Sequence, residues 1–241
     1  MKILILGGTT EARELADRLV ALGHQVTTSL AGRTQRPAIP AGDLRVGKFG
    51  GIPGLVGYLR AVGVDRLVDA THPYAGLISI NAVAASQQSG VPLVRFMRPA
   101  WIEPAGAGWK QVDNIEATAA ALPSGATALV TTGHEGIETL LARDDCRFVV
   151  RLIEEPEIAM PRHARLILSR PPYGIEDEIA LFRREGITHL VTKNSGGDAT
   201  RAKLDAAREI GAEVIVIARP VYGPAREVGS VDEAVAAVVE S

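Results

Sequence analysis

Three stretches of the 241-residue chain combine residue types that could do chemistry. The first is Gly7-Gly8-Thr9-Thr10-Glu11-Ala12. It follows the apolar run Ile3-Leu4-Ile5-Leu6 and precedes Leu15, Ala16, Leu19, Val20 and Leu22 at helical spacing. A buried strand, a glycine turn and a helix N-terminus aim amide N–H groups and a positive dipole end at one point, which suits a phosphate. Thr9 or Thr10 can cap the helix. The pattern is not the full G-x-G-x-x-G fingerprint. Ala12 stands at its last position, where a small residue still allows close helix–strand packing. The plainer interpretation is an ordinary βα turn. Gly8, Thr9, Thr10, Glu11 and Ala12 are the candidate phosphate contacts.

The second stretch is Thr71-His72-Pro73-Tyr74-Ala75, between a predicted strand at 66–70 and a predicted helix at 76–89. It should emerge at the same carboxyl edge of the sheet as the glycine turn, where open α/β sheets bind ligands. Thr71, His72, Pro73 and Tyr74 are therefore candidates for contacting a nicotinamide or a substrate. Alternatively, His72 caps the next helix and Tyr74 packs. The third stretch is Lys193-Asn194-Ser195-Gly196-Gly197-Asp198, after a predicted strand at 189–192. A cation, an amide, a hydroxyl and two glycines suit an anionic or amide ligand approached closely by backbone. A glycine loop with a surface lysine is the bland alternative.

The end of the second predicted strand, 25–30, bears on cofactor choice. Dinucleotide folds that prefer NAD place an acid there for the ribose 2′-hydroxyl. Here the segment reads Ser29-Leu30-Ala31-Gly32-Arg33-Thr34, without an acid. Ser29, Arg33 and Thr34 suit a 2′-phosphate, held by an Arg fork through charge-assisted bonds. That favours NADP; a solvated loop arginine is the alternative.

The elements that must position these stretches follow a βα rhythm. Strands are predicted at 44–47, 66–70 and 92–96, the last closing a first sheet, with a helix at 55–62. Two prolines in Arg98-Pro99-Ala100-Trp101-Ile102-Glu103-Pro104 then break the pattern, which reads as a crossing between domains. Such crossings make clefts, and Arg95 and Arg98 could line one. The rhythm restarts with strands at 128–131, 147–152, 166–168, 189–192 and 214–217. Helices lie between, and a last one covers 231–239. The expected fold is α/β: two Rossmann-like domains, residues 1–97 and 98–241, with mainly parallel sheets.

Other classes are disfavoured. The formal charge of −2 makes no electrostatic case for nucleic acid. No apolar run approaches the ~18 residues of a membrane span. Charged residues from Glu11 to Arg18 interrupt any signal-peptide order, and a single cysteine, Cys146, is compatible with a reducing compartment, so a cytoplasmic location is expected. No Tyr is followed four residues on by Lys, and the Gly-x-Ser-x-Gly elbow and the P-loop pattern are absent. The five histidines are scattered without zinc-like spacing, so no metal site is expected. Adjacent acids would raise the Cys146 thiol pKa, against a catalytic thiolate.

Taken together, Leu6-Gly7-Gly8-Thr9-Thr10-Glu11-Ala12, Thr71-His72-Pro73-Tyr74-Ala75, Arg98-Pro99-Ala100-Trp101, Thr192-Lys193-Asn194-Ser195-Gly196-Gly197 and Arg219-Pro220 resemble, in order, the motifs of the precorrin-6A reductase family of cobalamin biosynthesis. The resemblance covers essentially the whole chain. It implies NADPH-dependent reduction of one macrocycle double bond, precorrin-6A to precorrin-6B, between two Rossmann-like domains. It implies a tetrapyrrole substrate rich in carboxylates, for which Arg95, Arg98, Arg151, Lys193 and Arg219 are candidate cations, with Asn194, Ser195 and Gly196 beside them. His72, Tyr74 and Lys193 are candidate proton donors. Cobalt-precorrin-6A reductases share these motifs, and a hand-off of product to the next pathway enzyme stays open. Rival readings are a non-catalytic NADP-sensing protein, a cofactor-free two-domain transferase or tetrapyrrole enzyme, and a reductase of another anionic substrate.

Overall fold

The computed structural model describes residues 1–32 and 39–240. In chain order, the first elements are β1 (Lys2–Leu6), α1 (Thr10–Ala21), β2 (Gln25–Leu30), β3 (Asp43–Val46), α2 (Gly51–Val62), β4 (Arg66–Asp69), α3 (Gly76–Ser89) and β5 (Leu93–Phe96). Then come β6 (Lys110–Val112), α4 (Ile115–Ala121), β7 (Thr127–Val130), α5 (Ile137–Leu141), β8 (Arg147–Leu152), β9 (Ala164–Leu168), α6 (Ile175–Glu185), β10 (His189–Lys193), α7 (Ala202–Ile210) and β11 (Glu213–Ile217). The chain ends with β12 (Arg226–Val228) and α8 (Val231–Val239).

These elements form two units, one of residues 1–99 with 220–241 and one of residues 100–219. The expected division at 97/98 therefore misses the return of the chain. Residues 220–241, expected in the second domain, pack on the first, because β12 pairs with β5 and α8 lies beside α1. The first sheet has the order β12-β5-β4-β1-β2-β3, the second β6-β11-β10-β7-β8-β9. Every strand pair is parallel. The first is the dinucleotide-fold order 3-2-1-4-5-6, with its sixth strand delivered from the far end of the chain. The second repeats it from β7, and its edge strand β6 comes before the repeat. The edge strands β6 and β12 are each three residues long, too short to show a hydrophobic period.

Alternation explains how β1 sits at the centre. Ile3 and Ile5 face a core built with Leu15 and Leu19 of α1, Val68, Val94 and Val238 of α8. Leu4 and Leu6 face the opposite core, with Leu55 and Leu59 of α2, Leu67, Ala82 and Leu93. A strand buried on both faces has to be apolar throughout. Burying each such Leu or Ile contributes roughly 1.5–3 kcal/mol. In the second unit, Leu129, Val149, Leu190, Val214 and Val216 pack with Trp101, Phe182 and Leu204. Within the described residues, no helix is long and apolar enough to cross a membrane.

Candidate functional site

Strand order reverses between β1 and β4, and the loops that leave these strands meet there. Gly8 has φ +118°, a conformation that L side chains rarely adopt, and turns the chain from β1 into α1. Thr9, not Thr10, is the N-cap: its hydroxyl accepts from the Ala12 amide at 3.1 Å and donates to the Ala70 carbonyl at 2.9 Å. One side chain thus caps α1 and joins the two loops, and Ala70 N–H donates to Leu6 O at 2.9 Å beside it. The Thr10 and Glu11 amides lie in the first turn, where N–H groups have no intrahelical acceptor. Together with the dipole of α1 they fit a phosphate, so the chemistry of the turn agrees with a dinucleotide.

Glu11 and Arg98 form one pair at this turn: Arg98 Nη1 lies 2.9 and 3.1 Å from the two Glu11 carboxylate oxygens. With Thr9, Thr71, Pro73 and Phe96 they line a small hollow at the carboxyl edge. The pair places Arg98, an expected substrate cation, beside the glycine turn. A hollow of about 350 Å³ lined by Lys2, His24, Gln25, Asp43 and Tyr58 opens at the amino edge of the same sheet, away from these loops.

The loop after β4 is held at its start by Asp69. Its Oδ1 accepts from the Thr71 amide at 3.2 Å and the Thr71 hydroxyl at 2.6 Å. His72 does not cap α3, whose cap residue is Ala75; His72 Nδ1 instead accepts from the Tyr74 amide at 3.3 Å. The two rings stand 5.8 Å apart, His72 exposed and Tyr74 half-buried.

At the end of β2, Ser29 pairs in register with Arg45 of β3. Arg45 Nη1 donates to Ser29 Oγ at 3.3 Å and to Gly47 O at 2.6 Å, and Nη2 donates to Lys48 O at 2.9 Å. Its guanidinium lies 3.8 Å from the Phe49 ring centroid. Sequence reasoning missed this cation; an arginine three residues before a Lys-Phe-Gly-Gly bend was the available signal. Arg33 and Thr34 lie outside the described residues.

In the second unit, the loops after β7 and β10 meet at the equivalent reversal. Thr131 donates to Val191 O through its amide at 3.0 Å and its hydroxyl at 3.1 Å. Lys193 Nζ is 3.7 Å from Glu135. The Asn194 side chain is engaged with Trp101, accepting from its amide at 2.8 Å and donating to its carbonyl at 3.1 Å. Trp101 Nε1 donates to Gly197 O at 2.8 Å, and Lys203 Nζ lies 5.0 Å from its ring. Arg219 Nε donates to Asn194 O at 2.7 Å. Lys193, Asn194, Ser195, Gly196 and Arg219 are thus brought to one loop cluster, with Asn194 shaping it and Trp101 as a member that sequence reasoning did not assign.

Two predicted substrate cations are not on a surface. Arg95 is 1% exposed, its Nη1 donating to Gly223 O and Glu227, both at 3.0 Å, and its Nε 3.6 Å from Asp69. Arg151 is buried in an ion pair with Glu178 of α6 and lies 4.0 Å from the Tyr173 ring. Each is turned inward to a buried carboxylate, since an isolated buried charge would be very costly. Burial, more than the adjacent acids, pushes the Cys146 thiol above its usual value. Among the described residues, no three His, Cys, Asp or Glu side chains gather as a metal site requires.

Fold and loops together define a two-unit Rossmann-like α/β protein whose first unit carries a phosphate-type glycine turn at its switch point. The model of the family described as "Precorrin-6x reductase CbiJ/CobK" matches residues 2–239, and the chain belongs to that family. It is 44% identical over 239 residues to a precorrin-6A reductase of Rhodococcus erythropolis, covering 98% of this chain and 96% of that protein. It is 28% identical over 239 residues to a cobalt-precorrin-6A reductase of Priestia megaterium, covering 90% of each. A solved structure of "CobK precorrin-6A reductase" superposes with a TM-score of 0.94 at 38% identity, covering 100% of this chain and 96% of that one.

Proposed function

We propose that this chain reduces one double bond of the precorrin-6A macrocycle with NADPH, giving precorrin-6B. The reading is carried by one observation: at the first switch point, Thr9 joins a glycine turn suited to phosphate to the loop bearing His72 and Tyr74. Bound NADPH supplies a hydride. The Thr10 and Glu11 amides and the N-terminus of α1 hold its pyrophosphate, with Arg98 offsetting the Glu11 charge. Ser29 and Arg45, with Arg33 and Thr34, hold the 2′-phosphate. Thr71, His72, Pro73 and Tyr74 stand at the nicotinamide. In the second unit, Lys193, Ser195 and Arg219 supply cations and a hydroxyl for substrate carboxylates. The proton that follows the hydride comes from His72, Tyr74 or Lys193, or from water or a substrate carboxyl. A cytoplasmic setting suits the lone buried thiol, and hand-off to the next pathway enzyme would protect the product. The higher identity to the precorrin-6A enzyme favours the metal-free substrate over its cobalt form.

The test is a fluorescence titration with NADPH and NADH on the wild type and Arg45→Ala, followed by turnover of the macrocycle. Losing charge-assisted bonds of about 1.5–3 kcal/mol should weaken NADPH binding by about 10- to 100-fold and leave NADH binding nearly unchanged. Equal affinity of the wild type for the two nucleotides would remove the case for a 2′-phosphate pocket.

A further inference from the structure

The buried Arg95, together with a tyrosine from the returning segment, has no part in the chemistry above. Arg95 lies on β5, and around it meet Asp69 at the end of β4 and Tyr222, Gly223 and Glu227 on the way into and along β12. Its Nε and Nη2 and the Asp69 Oδ2 are buried and make no hydrogen bond, so the Arg95–Asp69 contact is an ion pair without closed geometry. A pair of that kind is poor evidence of stabilisation, since a well-packed apolar substitute is often as stable. It sets the Arg95 charge against one Asp69 oxygen, and the other Asp69 oxygen holds Thr71 by both its amide and its hydroxyl.

The far side of the same loop is held as well. Tyr222 hydroxyl donates to the Pro73 carbonyl at 2.8 Å, its ring lies 5.2 Å from the Arg95 guanidinium carbon, and the same ring stands where a side chain at Gly76, the start of α3, would meet it. Asp69 and Tyr222 thus grip the loop on either side of His72, and Arg95 touches both grips. Pro73 is the residue between the two candidate proton donors, so a hydrogen bond to its carbonyl bears directly on where both rings stand.

We propose that Tyr222 and Arg95 are positioning residues for the reduction, and that the returning segment is retained in the first unit because it clamps the Thr71–Ala75 loop. The proposal rests on the reading that this loop stands at the nicotinamide. Neither residue touches the reacting atoms; each acts by holding backbone that carries His72 and Tyr74. Catalytic steps are sensitive to such placement, and a displacement of about 1 Å can cost on the order of a hundredfold.

The experiment uses the full chain and Tyr222→Phe, which keeps the ring against Arg95 and removes only the hydroxyl. Single-turnover reduction of precorrin-6A by NADPH should slow about tenfold, with the NADPH Kd within about twofold of wild type. A purely structural role would lower thermal stability and leave the rate of the folded fraction unchanged. Hydrogen exchange gives an independent readout: the amides of residues 71, 72 and 74–76 should exchange faster in the variant, while those of β4 and β5 keep their protection. If the wild type itself shows no NADPH-dependent turnover, the functional reading fails. If the wild type turns over and Tyr222→Phe matches it in both rate and loop exchange, the clamp is overturned. If Tyr222→Phe does not fold, Asp69→Asn removes the charge that faces Arg95 at the start of the loop, and unchanged turnover and loop exchange there reject the proposal equally.

Discussion

Replacing Arg98 by alanine should weaken NADPH binding about tenfold, and removing the Glu11 charge in the same chain should restore most of the loss. Arg98 Nη1 reaches both Glu11 oxygens, and the two side chains are 18% and 24% exposed. Two unit charges 4 Å apart interact by about 1 kcal/mol in bulk water and about 4 kcal/mol at an effective dielectric near 20. Partial exposure and salt screening move this pair toward the lower limit. A value of about 1.5 kcal/mol corresponds to roughly tenfold in Kd. Arg98→Ala leaves a bare carboxylate in the first turn of α1, where the proposed pyrophosphate must sit. Glu11→Gln alone should bind NADPH as well as the wild type or better, because Arg98 then faces the phosphate. The assay is NADPH fluorescence titration of the wild type, both single variants and the double variant at about 50 and 300 mM salt, where the differences should shrink as screening increases. A double variant no better than Arg98→Ala would refute the charge argument. A change below twofold in Arg98→Ala would detach Arg98 from the cofactor turn altogether.

Two further outcomes follow from buried groups in the second unit. Arg151→Met should lower stability by about 3 kcal/mol by stranding Glu178 in the core, whereas Arg151→Met/Glu178→Met should recover most of it; urea unfolding with an unchanged m-value checks both, and a single variant as stable as the double would contradict the pairing. Burial raises the Cys146 thiol, so its contribution to stability is present below the ordinary thiol value and is lost as pH rises through the folded-state value. Thermal unfolding against pH should therefore fall more steeply on the alkaline side for the wild type than for Cys146→Ala, and native Cys146 should react with a thiol reagent far more slowly than the urea-unfolded chain.

Much of the fold was legible because its signals are local. The β1 run, the glycine turn and the α1 period sit within the first 22 residues, and each central strand is an apolar run bounded by turn residues. What escaped were β6 and β12, written Lys-Gln-Val and Arg-Glu-Val. Three residues cannot display a period, and their pairing is decided by a neighbour far away in sequence. Without β12 there was no reason to return residues 220–241 to the first unit. The division of the chain and the clamp on the Thr71–Ala75 loop were therefore missed together.

The arginines show the same limit in electrostatic terms. Arg95, Arg98 and Arg151 looked alike as cations near strand ends, suited to substrate carboxylates. In the structure each is matched to an acid of the chain: Arg95 to Glu227, Arg98 to Glu11 and Arg151 to Glu178, at separations of 132, 87 and 27 residues. No pattern within a helix or strand encodes such pairs, because they exist only once the sheets are assembled. Lys193, at the end of β10 and 3.7 Å from Glu135, and Arg219 lie in the cluster that Trp101 and Asn194 hold in shape. A polyanion is recognised best by cations already held in place, and under the proposed function the Arg219 bond to the Asn194 backbone would supply that at the second loop cluster.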